Sequence, residues 1–123
     1  MTTIPNPPAP LTLTRPEICQ LLRLSSAGFD QLRTSGGFDV EPIDWNGRPR
    51  WSRAAIAHWL GGPATMPDDD FALLTMAEVA QLLGIARATA YRNIPSSPLQ
   101  QHAIRLASDI RYPRIAVRRY LGV

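Results

Sequence analysis

LTMAEVAQLLGIARATAYR, residues 74–92, is the stretch on which the fold turns. Thr75 stands three residues before Glu78, so hydroxyl and carboxylate are spaced to satisfy each other's backbone N–H at a helix start, a capping box. Val79, Leu82 and Leu83 recur at the i, i+3, i+4 interval of one buried helical stripe. Gly84 suits the left-handed position that closes a helix, and Ile85 plugs the turn after it. A second short helix is expected over Arg87–Asn93, stopped by Pro95. Ala90 and Ile94 are spaced to face the core, which leaves Arg87, Ala88, Tyr91 and Arg92 outward.

The same pattern stands earlier in the chain. An offset of 61 residues carries Leu13-Thr14-Arg15-Pro16-Glu17-Ile18-Cys19-Gln20-Leu21-Leu22 onto residues 74–83. Without a gap it also pairs Ile43 with Ile104, Arg50 with Arg111, Trp51 with Tyr112 and Arg53 with Arg114. It continues through Ala55 and Ala116, Trp59 and Tyr120, Leu60 and Leu121, and Gly61 and Gly122. Matches at both ends of one frame identify an internal duplication. In the first copy Thr14 and Glu17 form the capping box, and Pro16 falls in the first turn, where a missing N–H costs nothing. Arg23 takes the place of Gly84, a less comfortable choice for a left-handed cap. Leu24 plugs the turn, and a second helix over Ser26–Thr34 ends at Gly36-Gly37.

Each copy then turns to strands. Residues 40–45 and 48–51 flank Asn46-Gly47, the strongest two-residue hairpin signal; residues 103–106 and 110–112 flank Ala107-Ser108-Asp109. A third helix closes each copy, over 52–60 with Ser52 as N-cap and over 113–121 with Pro113 near its first turn. The expected fold is mainly α with small β-hairpin wings. It divides into a proline-rich, extended tail (1–12), a first module (13–61), a linker (62–72) and a second module (73–123). Trp51, Tyr112, Trp59 and Tyr120 are expected in the cores behind the hairpins, and Cys19, paired with Ala80, as a small, partly buried residue.

Composition narrows the class. The 123 residues carry a formal charge of +3, and all 13 basic residues are arginine. Arginine suits bidentate contacts to phosphate and guanine, and a GC-rich genome accounts for the bias itself. Residues 71–123 hold seven arginines against Glu78 and Asp109. Residues 13–62 hold six against Glu17, Asp30, Asp39, Glu41 and Asp44. The single Cys19 permits no internal disulfide. Met1 to Pro10 has neither the basic nor the apolar region of a secretory leader, and no apolar run reaches membrane-spanning length, so a cytoplasmic protein is expected. Cys19, His58 and His102 lack metal-ligand spacing. Asp68-Asp69-Asp70 reads as a solvated linker. No nucleophilic triad, phosphate-cradling loop or carboxylate pair stands out, so neither catalysis nor a cofactor or metal is expected.

Residues 74–92, with the Arg111-Tyr112 step and the Tyr120-Leu121 terminus, resemble the excisionase-type, MerR-like winged helix-turn-helix family. The likeness covers nearly all of residues 74–121 and, more weakly, 13–60. It departs at Ala86, where the family carries a serine N-cap, and at Ser26, Gly28, Phe29 and Asp30, where polar and basic contact residues are usual. The resemblance implies two tandem winged helix-turn-helix modules that bind double-stranded DNA, with the second helix of a module in the major groove.

On that reading Arg87, Thr89, Tyr91 and Arg92 face bases and phosphates, and Arg105 and Arg111 on the second hairpin touch backbone or minor groove. Arg48, Arg50 and Arg53 are the candidates of the first module. The second module, with the larger basic excess, is expected to dominate affinity. A ten-residue linker spans at most roughly 35 Å, which favours directly repeated sites. Three functions compete: an excisionase-like (recombination directionality) factor of a phage or mobile element that also regulates transcription, a plain transcriptional repressor, and an adaptor whose first module binds a protein such as an integrase. Self-association along DNA belongs to the first.

Overall fold

The computed structural model describes residues 10–106 and 109–123. The proline-rich stretch expected before Pro10 and the Ala107-Ser108 part of the second hairpin loop lie outside them. The chain lays down one order of elements twice. The first unit runs β1 (Thr12–Leu13), α1 (Arg15–Leu22), α2 (Ser26–Thr34), β2 (Ile43–Trp45), β3 (Arg48–Ser52) and α3 (Arg53–Trp59). The second runs β4 (Leu73–Leu74), α4 (Met76–Leu83), α5 (Arg87–Asn93), β5 (Ile104–Arg105), β6 (Ile110–Pro113) and α6 (Arg114–Leu121). Among the described residues the fold is therefore mixed, with six α-helices and two small antiparallel sheets ordered β1-β3-β2 and β4-β6-β5.

The 61-residue frame holds in three dimensions. Leu13 pairs Trp51 and Ile43 pairs Arg50, as Leu74 pairs Tyr112 and Ile104 pairs Arg111. Both capping boxes form, with the Thr14 and Thr75 N–H groups each donating to the carboxylate three residues on at 3.0 Å. Both first helices close through a left-handed residue, Arg23 at φ 59° and Gly84 at φ 69°. In each case the following residue's N–H reaches back to the carbonyl of Cys19 or Ala80. The Asn46-Gly47 turn has both residues at positive φ, 53° and 79°, as a two-residue type I′ hairpin requires. Asp44 accepts the Gly47 N–H at 2.9 Å.

β1 and β4 depart from expectation. The residues just before each capping box add a third strand to each hairpin, so Thr12 leaves the expected tail and joins a sheet. Two-residue strands carry no alternation for a periodicity to reveal. In the second unit α5 gives way to 3-10 turns over Ile94–Ser96 and Pro98–His102.

The segment between the units departs further. Met66 and Phe71 are fully buried and belong to the first unit's core, with Ile18, Leu22, Phe29, Leu32 and Trp51. Asp68–Phe71 forms a 3-10 turn. Asp70, expected in a solvated run, is 1% exposed and accepts from Arg114 at 2.7 Å and Arg118 at 2.6 Å. Arg53 donates to the Met66 carbonyl and to Asp68, and its guanidinium lies 4.6 Å from the centre of the Phe71 ring. Arg23 pairs with Glu78 across the units at 3.1 Å, and Arg119 donates to the Gly61 carbonyl. The segment between the units thus joins the first core, and apolar burial and paired charge dock the units together.

Core aromatics divide likewise. Trp51 and Tyr112 are buried as expected, but Tyr120 is 49% exposed, as is Leu82 at 46%. Tyr120 and Leu82 sit on the outer side of the short helices α6 and α4, with no described element over them. Trp59 is half-buried and donates to the Gly37 carbonyl at 3.0 Å.

Candidate nucleic-acid interface

α5 is short and starts poorly. Ala86 has N-cap dihedrals but no side chain to accept an N–H. What holds the helix is burial of Ala90 and Ile94 in the second core, with Val79, Ala80, Leu99 and Val117. This anchoring turns Arg87, Ala88, Tyr91 and Arg92 to solvent, with Tyr91 58% exposed; Thr89 is half-buried. Arg105 is exposed on β5, and it lines with Tyr91 one cleft of about 590 Å³ between α5 and the second hairpin. Among the described residues, Arg87, Arg92 and Arg105 have no side-chain hydrogen bond or ion pair.

The other arginines of the second unit are committed internally. Arg111, a sequence candidate, donates to Asp109 at 2.6 Å and is only 21% exposed. Arg114 and Arg118 hold Asp70, and Arg119 holds Gly61. The basic excess expected over this half is therefore concentrated, for an outside partner, in three side chains.

The first unit's candidates scatter. Arg48 is exposed and unpaired among the described residues, at the turn end of β3. Arg50 donates to the Thr12 hydroxyl at 2.8 Å, tying β3 to β1. Arg53 is consumed by the interunit segment, which brings the Ala64 and Met66 carbonyls and Asp68 within its reach. On α2, Asp30 pairs with Arg15 at 2.6 Å, and the guanidinium holds its carboxyl below the usual range. Arg33, not a sequence candidate, stacks over the Phe29 and Trp51 rings at 5.7 and 5.3 Å. The edge of α2 also borders a groove of about 910 Å³ whose far wall is residues 103–106. The face equivalent to that of α5 is thus acidic in part and crowded by the second unit.

Sequence reasoning missed two exposed apolar side chains, Ile43 at 50% and Trp45 at 67%, on β2. Alternation over residues 40–45 reads as an ordinary half-buried strand, and only the tertiary structure shows that nothing described covers it. No group of three or more His, Cys, Asp or Glu among the described residues is placed to hold a metal. No described helix is long and apolar enough to cross a membrane. No protein-family model, curated protein or solved structure matches the chain.

Proposed function

We propose that the chain binds double-stranded DNA through α5 and the second hairpin, as two winged helix-turn-helix units of which the second is the reader. One observation carries this reading. Among the described residues, Arg87, Arg92 and Arg105 stay exposed and unpaired around Tyr91, while every other arginine of that unit has an internal acceptor. An unpaired guanidinium cluster on a short exposed helix and its adjoining hairpin fits phosphate neutralisation plus groove contacts. Arg87, at the helix start, is the candidate for guanine. Tyr91 and Arg92 fit phosphate or a thymine methyl.

The resemblance of residues 74–92 to excisionases favours an architectural factor of a phage or mobile element that steers an integrase and also represses a promoter. A plain repressor uses the same surface without bending the duplex. Because the units are docked, the distance between two contacted segments of duplex is set by the Asp70 pairs and not by the reach of an extended linker. The adaptor reading applies to the first unit, whose α2 face carries Asp30.

The test is fluorescence anisotropy of a labelled mixed-sequence duplex at rising salt, followed by selection of bound sequences. The wild-type chain is expected to bind with a steep salt dependence. Arg87→Ala and Arg92→Ala are each expected to reduce the log–log salt slope by about 1 and the affinity by about tenfold. A chain that ignores duplex at low salt overturns the proposal. A measured bend in the selected site separates the architectural factor from the repressor.

A further inference from the structure

The second sheet is covered on both sides. Side chains alternate along a strand and directly opposed residues share a face, so the registers of β4, β5 and β6 sort them into two sets. Leu74, Tyr112 and Ile110 lie on the face that closes the second unit's own core. Arg105, opposite Ile110, shares that face and lines the cleft beside Tyr91. Leu73 and Ile104 lie on the other face. Leu73 belongs to the first unit's hydrophobic core, and Ile104 packs on it, as does Leu106 just beyond β5. The groove beside Ile104 and Leu106 has Leu32 and Gly36-Gly37, at the end of α2, on its far wall. The 61-residue frame puts Thr12, Ile43 and Trp45 on the same face of the first sheet. No described element backs that face, and Ile43 is 50% and Trp45 67% exposed.

We propose that the first unit is the backing on which the second hairpin is set for the duplex, with Ile104 and Leu106 as positioning residues for Arg105. The inference rests on the DNA reading and names what holds that surface in shape. A two-stranded hairpin is marginal by itself, and β5 is only two residues long. Ile104 and Leu106, seated on the first core, keep it from swinging away from β6 and α5. Alternation then fixes the rest: with Ile104 turned to the first unit, Arg105 is turned to the opposite side, toward Tyr91. Arg111 shares the backed face with Ile104 and is spent on Asp109, which leaves Arg105 as the free guanidinium of this hairpin among the described residues. Holding an arginine on phosphate costs ordering entropy, and a strand already fixed has less of it to lose. The first unit thereby has a task that needs no groove contact of its own.

The test sets a double variant, Ile104→Thr with Leu106→Ser, against Arg105→Ala, by anisotropy on the mixed-sequence duplex across a salt series. The double variant keeps every arginine. Each chain is nevertheless expected to bind about fivefold to tenfold more weakly and to lose about 1 from the log–log salt slope. Combined, the changes are expected to cost no more than Arg105→Ala alone, because the pair acts through that one guanidinium. Arg87→Ala is expected to add its full loss to either. A chain that has merely lost folded molecules keeps its slope and weakens equally with or without Arg105. Ile104→Val with Leu106→Met, which keeps the apolar seat, is expected to bind within about twofold of wild type. Without DNA, the backbone order parameters of residues 104 and 105 are expected near about 0.85 in the wild type and below about 0.6 in the double variant, with α5 unchanged. Circular dichroism checks folding, and Leu106→Ser alone is measured in the same way if the double variant does not fold. An unchanged slope, a loss that adds to that of Arg105→Ala, or a hairpin as ordered in the variant as in the wild type overturns the inference and leaves the DNA reading standing. A wild-type chain that ignores duplex overturns both.

Discussion

Single positions where the two units differ show what the shared frame demands. Arg23 and Gly84 hold the same left-handed cap, but only glycine does so without crowding at Cβ. Arg23 has a compensating pair with Glu78; both side chains are more than a third exposed, so that pair contributes at most about 1 kcal/mol. Arg23→Gly is therefore expected to leave stability within about 0.5 kcal/mol of wild type, its backbone relief offsetting the lost pair. Arg23→Ala keeps the strain, loses the pair and is expected to cost about 1 kcal/mol in urea unfolding. Equal midpoints for the two variants would refute the backbone argument. At the start of α5 the missing side chain is the defect. Ala86 is exposed with N-cap dihedrals, so Ala86→Ser is expected to stabilise the fold by about 1 kcal/mol. Trp51 and Tyr112 share a third position. The Tyr112 hydroxyl donates to Gln100 at 2.7 Å, whereas the buried Trp51 indole N–H has no acceptor among the described residues, and the Arg33 guanidinium lies over its ring.

Whole elements respond to pH through the two capping boxes. Hydrogen bonds from Thr14 and Thr75 hold the Glu17 and Glu78 carboxyls below their ordinary values, and Arg23 lowers Glu78 a little more. A carboxyl lowered in the folded state stabilises fully above its unfolded pKa, near ~4.3, and that gain is lost as pH falls through the lower folded value. The melting temperature is thus expected to hold above about pH 5 and to drop below it. Glu17→Gln with Glu78→Gln should flatten that drop, since glutamine keeps the box geometry without titrating. An unchanged acid slope in the double variant would remove the boxes from the account. These same boxes were legible in the sequence, because Thr-x-x-Glu before an apolar stripe states a local hydrogen-bond demand. The Asn46-Gly47 turn and the Ser52 N-cap, which accepts the Ala55 N–H at 3.1 Å, were legible for the same reason. What escaped was tertiary. β1 and β4 exist only because β3 and β6 pass beside them, and Tyr120 is exposed because α6 turns it outward. The candidate site divides along the same line. Spacing from Ala90 and Ile94 placed Arg87, Tyr91 and Arg92 on the open face of α5. The withdrawal of Arg53 depended on an acid brought close by the interunit fold, whereas Arg111 pairs with Asp109 two residues before it, a local contact that the sequence reading passed over.

On the scale of the molecule the question is whether the units are one folding body or two. Each alone is about 50 residues, a size that buries a marginal core. Here the first core is completed by Met66, Phe71 and Leu73, with Ile104, Leu106 and Ile115 of the second unit packed on it. Asp70 sits at the junction, buried at 1% with Arg114 and Arg118 on its two oxygens. Removing that carboxylate leaves two guanidiniums that are 33% and 38% exposed, so water takes over part of their solvation. The cost should accordingly fall below that of stranding a fully buried charge. Asp70→Ala is expected to destabilise by about 2–3 kcal/mol. Asp70→Asn, which keeps the shape and an acceptor but loses the charge, should cost less. Since the junction is shared, both variants should shift the midpoint of one cooperative transition, with tryptophan fluorescence (from Trp45, Trp51 and Trp59, all in the first unit) and helical circular dichroism coinciding throughout. A wild-type chain that melts in two steps, with the fluorescence step apart from the loss of helix, would mean that the buried carboxylate joins two bodies that fold on their own.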